Sequence, residues 1–258
     1  MKVLITSGGT IEKIDTVRSI SNMSTGRLGC LIADRFAKEA DIDKIFYVCS
    51  KTAVKPESDK AEIIPVESVM DLENAIKEVI NNNCDIDIIV HGMAVSDYRV
   101  KSVTSTALLA GSIVSNLEKI RLMDKDAANS AISTLIQNPK SIIDGGGKIS
   151  SDVDDMMLLM EKTPKIISFF KSLSPKSILV GFKLLDNVTH EILIDRGFKI
   201  LTENKCSFVL ANDLRDITEK KHTGYLIDRQ KKYSQYSNKA EIADAIVSAT
   251  MQERMKKP

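Results

Sequence analysis

Long hydrophobic runs are missing from this sequence. A membrane-spanning helix needs about 18 or more consecutive apolar residues, and no such run occurs. The apolar part of the opening MKVLITSGG is too short for a secretory leader, so the expected location is the cytoplasm. Cysteine is sparse: Cys30, Cys49, Cys84 and Cys206 are far apart with no C-x-x-C pairing. Cys30, Cys49 and Cys206 adjoin apolar runs, which predicts reduced, mostly buried thiols rather than a disulfide frame or a metal site. His91, His190 and His222 lack ligand spacing, and no structural metal is expected. An excess of one charge is also absent, since 36 Lys and Arg stand against 35 Asp and Glu. No global field recruits nucleic acid or an anionic membrane, and any phosphate must be bound locally. Two phosphate-binding fingerprints are missing as well. Neither G-x-G-x-x-G nor G-x-x-x-x-G-K-[ST] occurs.

What is present is an ordinary globular composition, 43% hydrophobic and 28% charged over 258 residues, with enough chain to bury a sizeable core. The chain is organised around its first thirty residues. Lys2–Ser7 predicts a buried strand, Ser7-Gly8-Gly9-Thr10 a turn, and Asn22-Met23-Ser24-Thr25-Gly26 a second polar turn opening a helix. Free backbone N–H groups at the positive end of a helix dipole hold a phosphate without a special side chain, so an anion is expected here. The competing reading is an N-cap followed by an amphipathic helix with Leu28, Leu31, Ile32 and Phe36 inward.

Downstream, Arg27–Ala40 has helical spacing, Ile45–Cys49 and Ala61–Val66 predict strands, Val69 to Ile80 a helix, and Ile86–Val95 a buried strand. Alternation of strands with helices implies a Rossmann-like, doubly wound α/β fold with a mainly parallel sheet and helices on both faces. Ligands of such sheets lie beyond the carboxyl ends of the strands. The pattern degrades at about 99–147, where Thr104–Ser115 is a run of small residues and Asp144-Gly145-Gly146-Gly147 a turn. This excursion is a surface insertion or an arm for a second subunit. Val153, Met156, Met157 and Met160 then form an apolar stripe expected to pack in the core. A helix is predicted with Pro164 in its first turn, a strand at Ile178–Leu185, a helix at Thr189–Gly197, and a strand at Phe208–Leu210 running into Ala211-Asn212-Asp213. A last strand at Thr223–Asp228 and a closing helix bearing Ile242, Ile246 and Ala249 complete one domain, 1–258, with no repeat or linker.

Ser7-Gly8-Gly9-Thr10, Asp15-Thr16-Val17-Arg18 and Ile20-Ser21-Asn22-Met23-Ser24-Thr25-Gly26-Arg27-Leu28-Gly29 resemble the opening signature of phosphopantothenate–cysteine ligases. Met93-Ala94-Val95-Ser96-Asp97-Tyr98, Gly181-Phe182-Lys183 and Ala211-Asn212-Asp213 resemble three later family segments, in order. The resemblance implies a two-step ligase of coenzyme A biosynthesis. A nucleotide with Mg²⁺, CTP in bacterial members and ATP in animal ones, activates 4′-phosphopantothenate, and L-cysteine then displaces the nucleotide. It implies a homodimer, and the start of the chain at the ligase signature leads to the expectation of a separate decarboxylase chain.

By the same resemblance, Lys148 is the catalytic lysine, although Ile149-Ser150-Ser151 follows it where many fused bacterial members are lysine-rich. Ser150 would then replace a charge by a hydroxyl. Asn22 would hold the acyl carbonyl, with a plain turn or N-cap role as its alternative. Arg18 would grip a phosphate as a bidentate fork, with Ser21, Met93 and Ala94 near the substrate. Ser7, Gly8, Gly9, Thr10, Ser24, Thr25 and Gly26 would hold the nucleotide's phosphates. Asp97, Gly181, Phe182, Lys183, Asn212 and Asp213 would line the rest of its site, and Lys199 and Lys205 are further candidates. A solvated surface cation is the competing account of Lys148. The rival functions are a nicotinamide-dependent oxidoreductase and a non-catalytic nucleotide-binding module on the same fold. The split glycines, and Cys49-Ser50-Lys51 where an oxidoreductase would carry an acidic residue, weigh against the oxidoreductase.

Overall fold

The computed structural model describes residues 1–83, 85–139, 142–143, 147–218 and 221–256. Cys84 and 144–146 of the expected glycine turn lie outside them. The strands are β1 (Lys2–Ser7), β2 (Ile11–Lys13), β3 (Ser19–Ser21), β4 (Lys44–Ser50), β5 (Ala61–Val66), β6 (Ile86–His91), β7 (Tyr98–Thr104), β8 (Met157–Lys162), β9 (Ile178–Leu185), β10 (Phe208–Asp213), β11 (Gly224–Asp228) and β12 (Tyr233–Tyr236). The α-helices are α1 (Arg27–Ala37), α2 (Val69–Asn82), α3 (Thr106–Val114), α4 (Leu117–Arg121), α5 (Lys125–Gln137), α6 (Ile167–Leu173), α7 (His190–Glu203) and α8 (Lys239–Met255). They fall into two compact units, one of residues 1–10, 22–95 and 165–258, the other of 11–21 and 96–164.

In the first unit one sheet of eight strands runs β12-β11-β10-β9-β6-β1-β4-β5. It is parallel from β10 to β5 and antiparallel only where β11 and β12 join. The doubly wound arrangement follows from side-chain alternation, because successive residues of a strand face opposite sides. Leu4, Ile89, Leu179 and Val209 pack on one face with α2, α6 and α7. Val3, Ile5, Ile88, Val90, Ile178, Val180 and Leu210 pack on the other with α1 and α8. Both faces being apolar, the strands read as continuous hydrophobic runs. Burial of side chains such as Tyr47, Phe36 and Phe170 stabilises by roughly 1.5–3 kcal/mol each. Helix α2 starts at a capping box, with Ser68 Oγ accepting from Asp71 N–H and the Asp71 carboxylate accepting from Ser68 N–H.

The second unit holds the antiparallel pairs β2–β3 and β7–β8 with α3, α4 and α5. The excursion at 99–147 lies within it. Arg99 and Glu161 face each other across β7–β8 and form an ion pair. Thr163 closes the hairpin through its N–H to Asp97 O and its hydroxyl to Ser96 O.

Several sequence expectations are corrected. Met156 and Met157 are exposed, at the head of β8; spacing that suits a helix face also suits a half-exposed hairpin strand. Pro164 precedes α6, which begins at Ile167. Helix α1 ends at Ala37, and α7 runs on past Gly197 to Glu203. Ala211, Asn212 and Asp213 belong to β10. The strand at Gly224–Asp228 is not the last, because β12 pairs with it through Tyr-Ser-Gln-Tyr, whose exposed residues carry no apolar signal.

Candidate functional site

From β1 the sheet order proceeds through β4 and β5 to one side and through β6, β9 and β10 to the other. The carboxyl ends of β1 and β6 are therefore the point where the winding of the chain reverses, the usual place for a ligand in such sheets. Backbone bonds tie these loops together. Gly92 N–H donates to Thr6 O, Ala94 N–H to Gly8 O at 2.8 Å, and Thr10 N–H to Ala94 O at 3.1 Å. Asn22 N–H returns to Thr10 O, which brings the second polar turn alongside the first. Behind them, Thr6 Oγ1 meets Nδ1 of His91 at 2.7 Å, and burial pushes the His91 pKa down to about 4. The imidazole is a neutral part of the wall.

Gly8 has φ +89° and Gly26 φ +71°, a region that costs an L side chain roughly 1–2 kcal/mol. Both also stand where a side chain has no room. A Cβ on Gly8 would lie 2.2 Å from Ser50 Oγ, and one on Gly26 would lie 2.8 Å from Ala53 Cβ and 3.3 Å from Gly8 N. Gly26 caps α1 without a side-chain hydrogen bond. Ser7 Oγ donates to Gly26 O and pins the strand end to the helix start, and Val54 N–H donates to Thr25 O. The side chains of Asn22, Ser24 and Thr25 have no hydrogen-bond partner among the described residues. Strand end, two left-handed turns and an uncapped helix start thus make a polar cradle with donors to spare.

In the second unit Asp15 is buried at the centre of a small network. Its carboxylate accepts from the N–H groups of Val17, Arg18 and Ile149 and from Nε and Nη2 of Arg18. Burial alone would raise the Asp15 pKa; the hydrogen bonds outweigh it and hold the group well below the usual carboxylate range. Nη2 of Arg18 also donates to Ile149 O at 2.9 Å, so Ile149 is gripped at both its N–H and its carbonyl. The preceding residue, Lys148, is exposed and has no ion-pair partner among the described residues.

The sequence profile of the DNA/pantothenate metabolism flavoprotein C-terminal domain matches residues 1–133 and 138–253. The chain belongs to this family. It is 27% identical over 252 residues to the coenzyme A biosynthesis bifunctional protein CoaBC of Methanocaldococcus jannaschii, covering 95% of this chain and 49% of that protein. To the CoaBC of Thermococcus kodakarensis it is 27% identical, covering 88% of this chain and 45% of that protein. The chain thus spans about half the length of these curated relatives. The crystal structure of the DNA/pantothenate metabolism flavoprotein from Streptococcus pneumoniae is similar over 98% of this chain and 99% of that one, at 32% identity and a TM-score of 0.76. A Cab2 mutant in complex with phosphopantothenate-cysteine shares the fold at 17% identity, over 99% of this chain and 86% of that one, with a TM-score of 0.66.

Within this family fold the predicted residues divide. Ser7, Gly8, Gly9, Thr10, Asn22, Ser24, Thr25, Gly26 and Ala94 meet at the paired turns. Phe182 lies close by, its ring 3.5 Å from where a Cβ on Gly92 would stand. Lys183 pairs in register with Ala211. Others are committed elsewhere. The Met93 side chain is buried in the core. Gly181 makes room for Ile167 and Cys206, 2.9 and 3.4 Å from an added Cβ. The Asp213 carboxylate is 2% exposed and accepts from the N–H groups of Asn187, Val188 and Arg215, which lower its pKa against the opposing effect of burial. Its work is to hold the turn after β9. Arg18 does not present a free fork, since its Nε–Nη2 edge is taken by Asp15. Ser21 is exposed in β3 and Asp97 exposed before β7. Lys199 pairs with Glu203 on α7, and Lys205 follows that helix with φ 52°. Sequence reasoning missed Asp15 as the anchor, Ser50 and Ala53 as the floor of the cradle, and His222 beside Asn212. Only the acidic residue three before Arg18 carried a signal, that of a local Asx turn.

Proposed function

We propose that this chain is a phosphopantothenate–cysteine ligase of coenzyme A biosynthesis that uses CTP. The observation that carries the reading is the cradle of Gly8, Gly26 and the uncapped start of α1 at the switch point of the sheet, in a chain of this family. A carboxylate oxygen of 4′-phosphopantothenate attacks the α-phosphorus of CTP, the bond to pyrophosphate breaks, and an acyl-CMP forms. The amine of L-cysteine then attacks the acyl carbon, CMP leaves with the bonding pair, and the ammonium proton passes to solvent.

Free N–H groups at the head of α1 and the hydroxyls of Ser24 and Thr25 hold phosphate oxygens, with the helix dipole adding to the attraction. The unpartnered carboxamide of Asn22 donates to the acyl carbonyl. Lys148, exposed and with its backbone set by the Asp15–Arg18–Ile149 network, is the candidate charge-stabilising group of both steps. Arg18 acts here chiefly by positioning Ile149. Among the described residues no group of three or more His, Cys, Asp or Glu could hold a metal, which suits Mg²⁺ that arrives on the nucleotide's own phosphates. The homodimer draws support from apolar side chains that α3 and the α4 region leave uncovered, Val114 at 66% and Leu122 at 90% exposure.

The test is pyrophosphate release from the purified chain with Mg²⁺ and 4′-phosphopantothenate, comparing CTP with ATP, each with and without cysteine. Repeated turnover that needs cysteine is expected. No release with either nucleotide from folded protein rejects the ligase.

A further inference from the structure

Asn212, near the end of β10, is 5% exposed, and its carboxamide is oriented by its neighbours. Nδ2 lies 3.1 Å from Nε2 of His222 and 3.2 Å from the carbonyl oxygen of Thr223. The carbonyl accepts only, so the amide nitrogen must face it; the reversed amide would set oxygen against oxygen. With Nδ2 as donor, His222 Nε2 must accept, and the ring proton sits on Nδ1. An imidazolium would have no lone pair to offer. Burial keeps the ring neutral by pushing the His222 pKa down to about 4, with Lys239 adding to the effect.

Both hydrogens of Nδ2 are thereby used, and Oδ1 has no partner among the described residues. Among the described residues the buried unpartnered side-chain atoms beside it are His222 Nδ1 and Thr223 Oγ1, and Oδ1 is not one of these. It is an unpartnered acceptor near the carboxyl end of β10. From β10 to β1 there are three strand steps, roughly 14 Å at the usual spacing. An extended nucleotide whose phosphates lie in the Gly8–Gly26 cradle reaches that far with its base.

We propose that His222 is a positioning residue that locks the Asn212 carboxamide with its carbonyl toward the nucleotide, so that the site selects a base with an amino group at pyrimidine C4 or purine C6, where uracil and guanine carry a carbonyl. The proposal rests on the nucleotide-dependent reading given above. Cytosine and adenine bring a donor to Oδ1. Uracil and guanine bring a carbonyl at the corresponding position, and acceptor would face acceptor in a partly dry site, a mismatch worth about 10- to 100-fold in affinity.

The experiment is calorimetric titration of the full chain, with Mg²⁺, by CTP, UTP, ATP and GTP. CTP should bind about 10- to 100-fold more tightly than UTP, and ATP more tightly than GTP. In His222→Ala the amide is free to turn over, and the CTP-to-UTP ratio should fall toward one. In His222→Gln a side-chain carbonyl can accept from Nδ2, and most of the ratio should return. A role confined to stability would lower the melting temperature of His222→Ala and leave the ratio unchanged, which overturns the proposal. Equal affinity of the wild-type chain for CTP and UTP overturns it as well, even where ligase turnover is found. Preference for CTP over UTP and for ATP over GTP without cysteine-dependent turnover rejects the ligase and leaves this inference standing. Failure of all four nucleotides to bind rejects both.

Discussion

Gly26→Ala tests the cradle where conformation and contact coincide. The residue has φ 71° and ψ 2°, and an alanine there costs roughly 1–2 kcal/mol in backbone strain. Its methyl would stand 2.8 Å from Ala53 Cβ and 3.0 Å from Ser7 Oγ, and overpacking of this kind costs about 1–3 kcal/mol. The sum, about 2–5 kcal/mol, is a large part of the ~5–15 kcal/mol that holds a typical domain together. The methyl would also stand 3.3 Å from Gly8 N, so nucleotide affinity should fall along with stability. The two contributions are separable. Asparagine tolerates the left-handed region, so Gly26→Asn keeps the crowding and sheds much of the strain. Ala53→Gly removes the 2.8 Å contact, and with Gly26→Ala it closes a double-mutant cycle whose coupling should recover about 1–2 kcal/mol. Urea unfolding and CTP titration read both quantities. A Gly26→Ala chain with wild-type urea midpoint and wild-type affinity refutes the reasoning. Additivity of the two substitutions within about 0.5 kcal/mol refutes the steric half alone.

Lys148→Gln should reduce turnover by about 10²–10³-fold with an unchanged melting temperature, because the side chain is exposed; unchanged turnover removes Lys148 from the mechanism. Asp15→Asn keeps the size but weakens the hold on Arg18 and Ile149, and a misplaced Lys148 backbone should lower kcat by about 10²-fold more than it changes KM for CTP; an unaltered kcat refutes the network's role. Since the Asp15 pKa is depressed in the folded chain, its stabilisation is present above the ordinary carboxylate pKa and is lost as pH falls below it, so the Asn variant should show a flatter acid limb in unfolding experiments. His91, buried with a pKa of about 4, has the sign set by an unfolded state that binds the proton more readily. Stability should be flat above about pH 6.5 and fall toward pH 4 by up to about 3 kcal/mol, a slope that His91→Gln should remove.

The parallel core was legible because strands covered on both faces carry unbroken apolar runs, as in Val3–Ile5, Ile45–Cys49 and Ile178–Val180. What escaped was structure whose cause is not periodicity. The three-residue strands β2 and β3 are held by a turn around Asp15, β8 is a half-exposed hairpin partner, and β12 is polar along its exposed length. The glycines and hydroxyls of the two opening turns pointed to the cradle because backbone chemistry there is local. The structural partners of Asp213 and Gly181, the turn after β9 and the side chains of Ile167 and Cys206, left no signal because they are distant in sequence. The Asn212–His222 pair is invisible to spacing, since only the antiparallel return of the chain from β10 to β11 brings the two together.

The order of strands in the sheet also sets an order of synthesis. β6, β1, β4 and β5 are contiguous in the sheet and leave the ribosome first, whereas β9, the next neighbour of β6, follows only after 96–164 has been made. Loop closure over that stretch adds little to the thermodynamic cost, about 0.6 kcal/mol per doubling of length. The burden falls on time. While the ribosome works through the intervening residues, the β6 edge with Ile88, Ile89 and Val90 has no partner strand, and the face of α1 that meets α8 stays bare until the last helix emerges. Until β9 and α8 are made, the nascent half-sheet thus carries an unpaired strand edge and a bare helix face, the kind of surface that invites association with other chains.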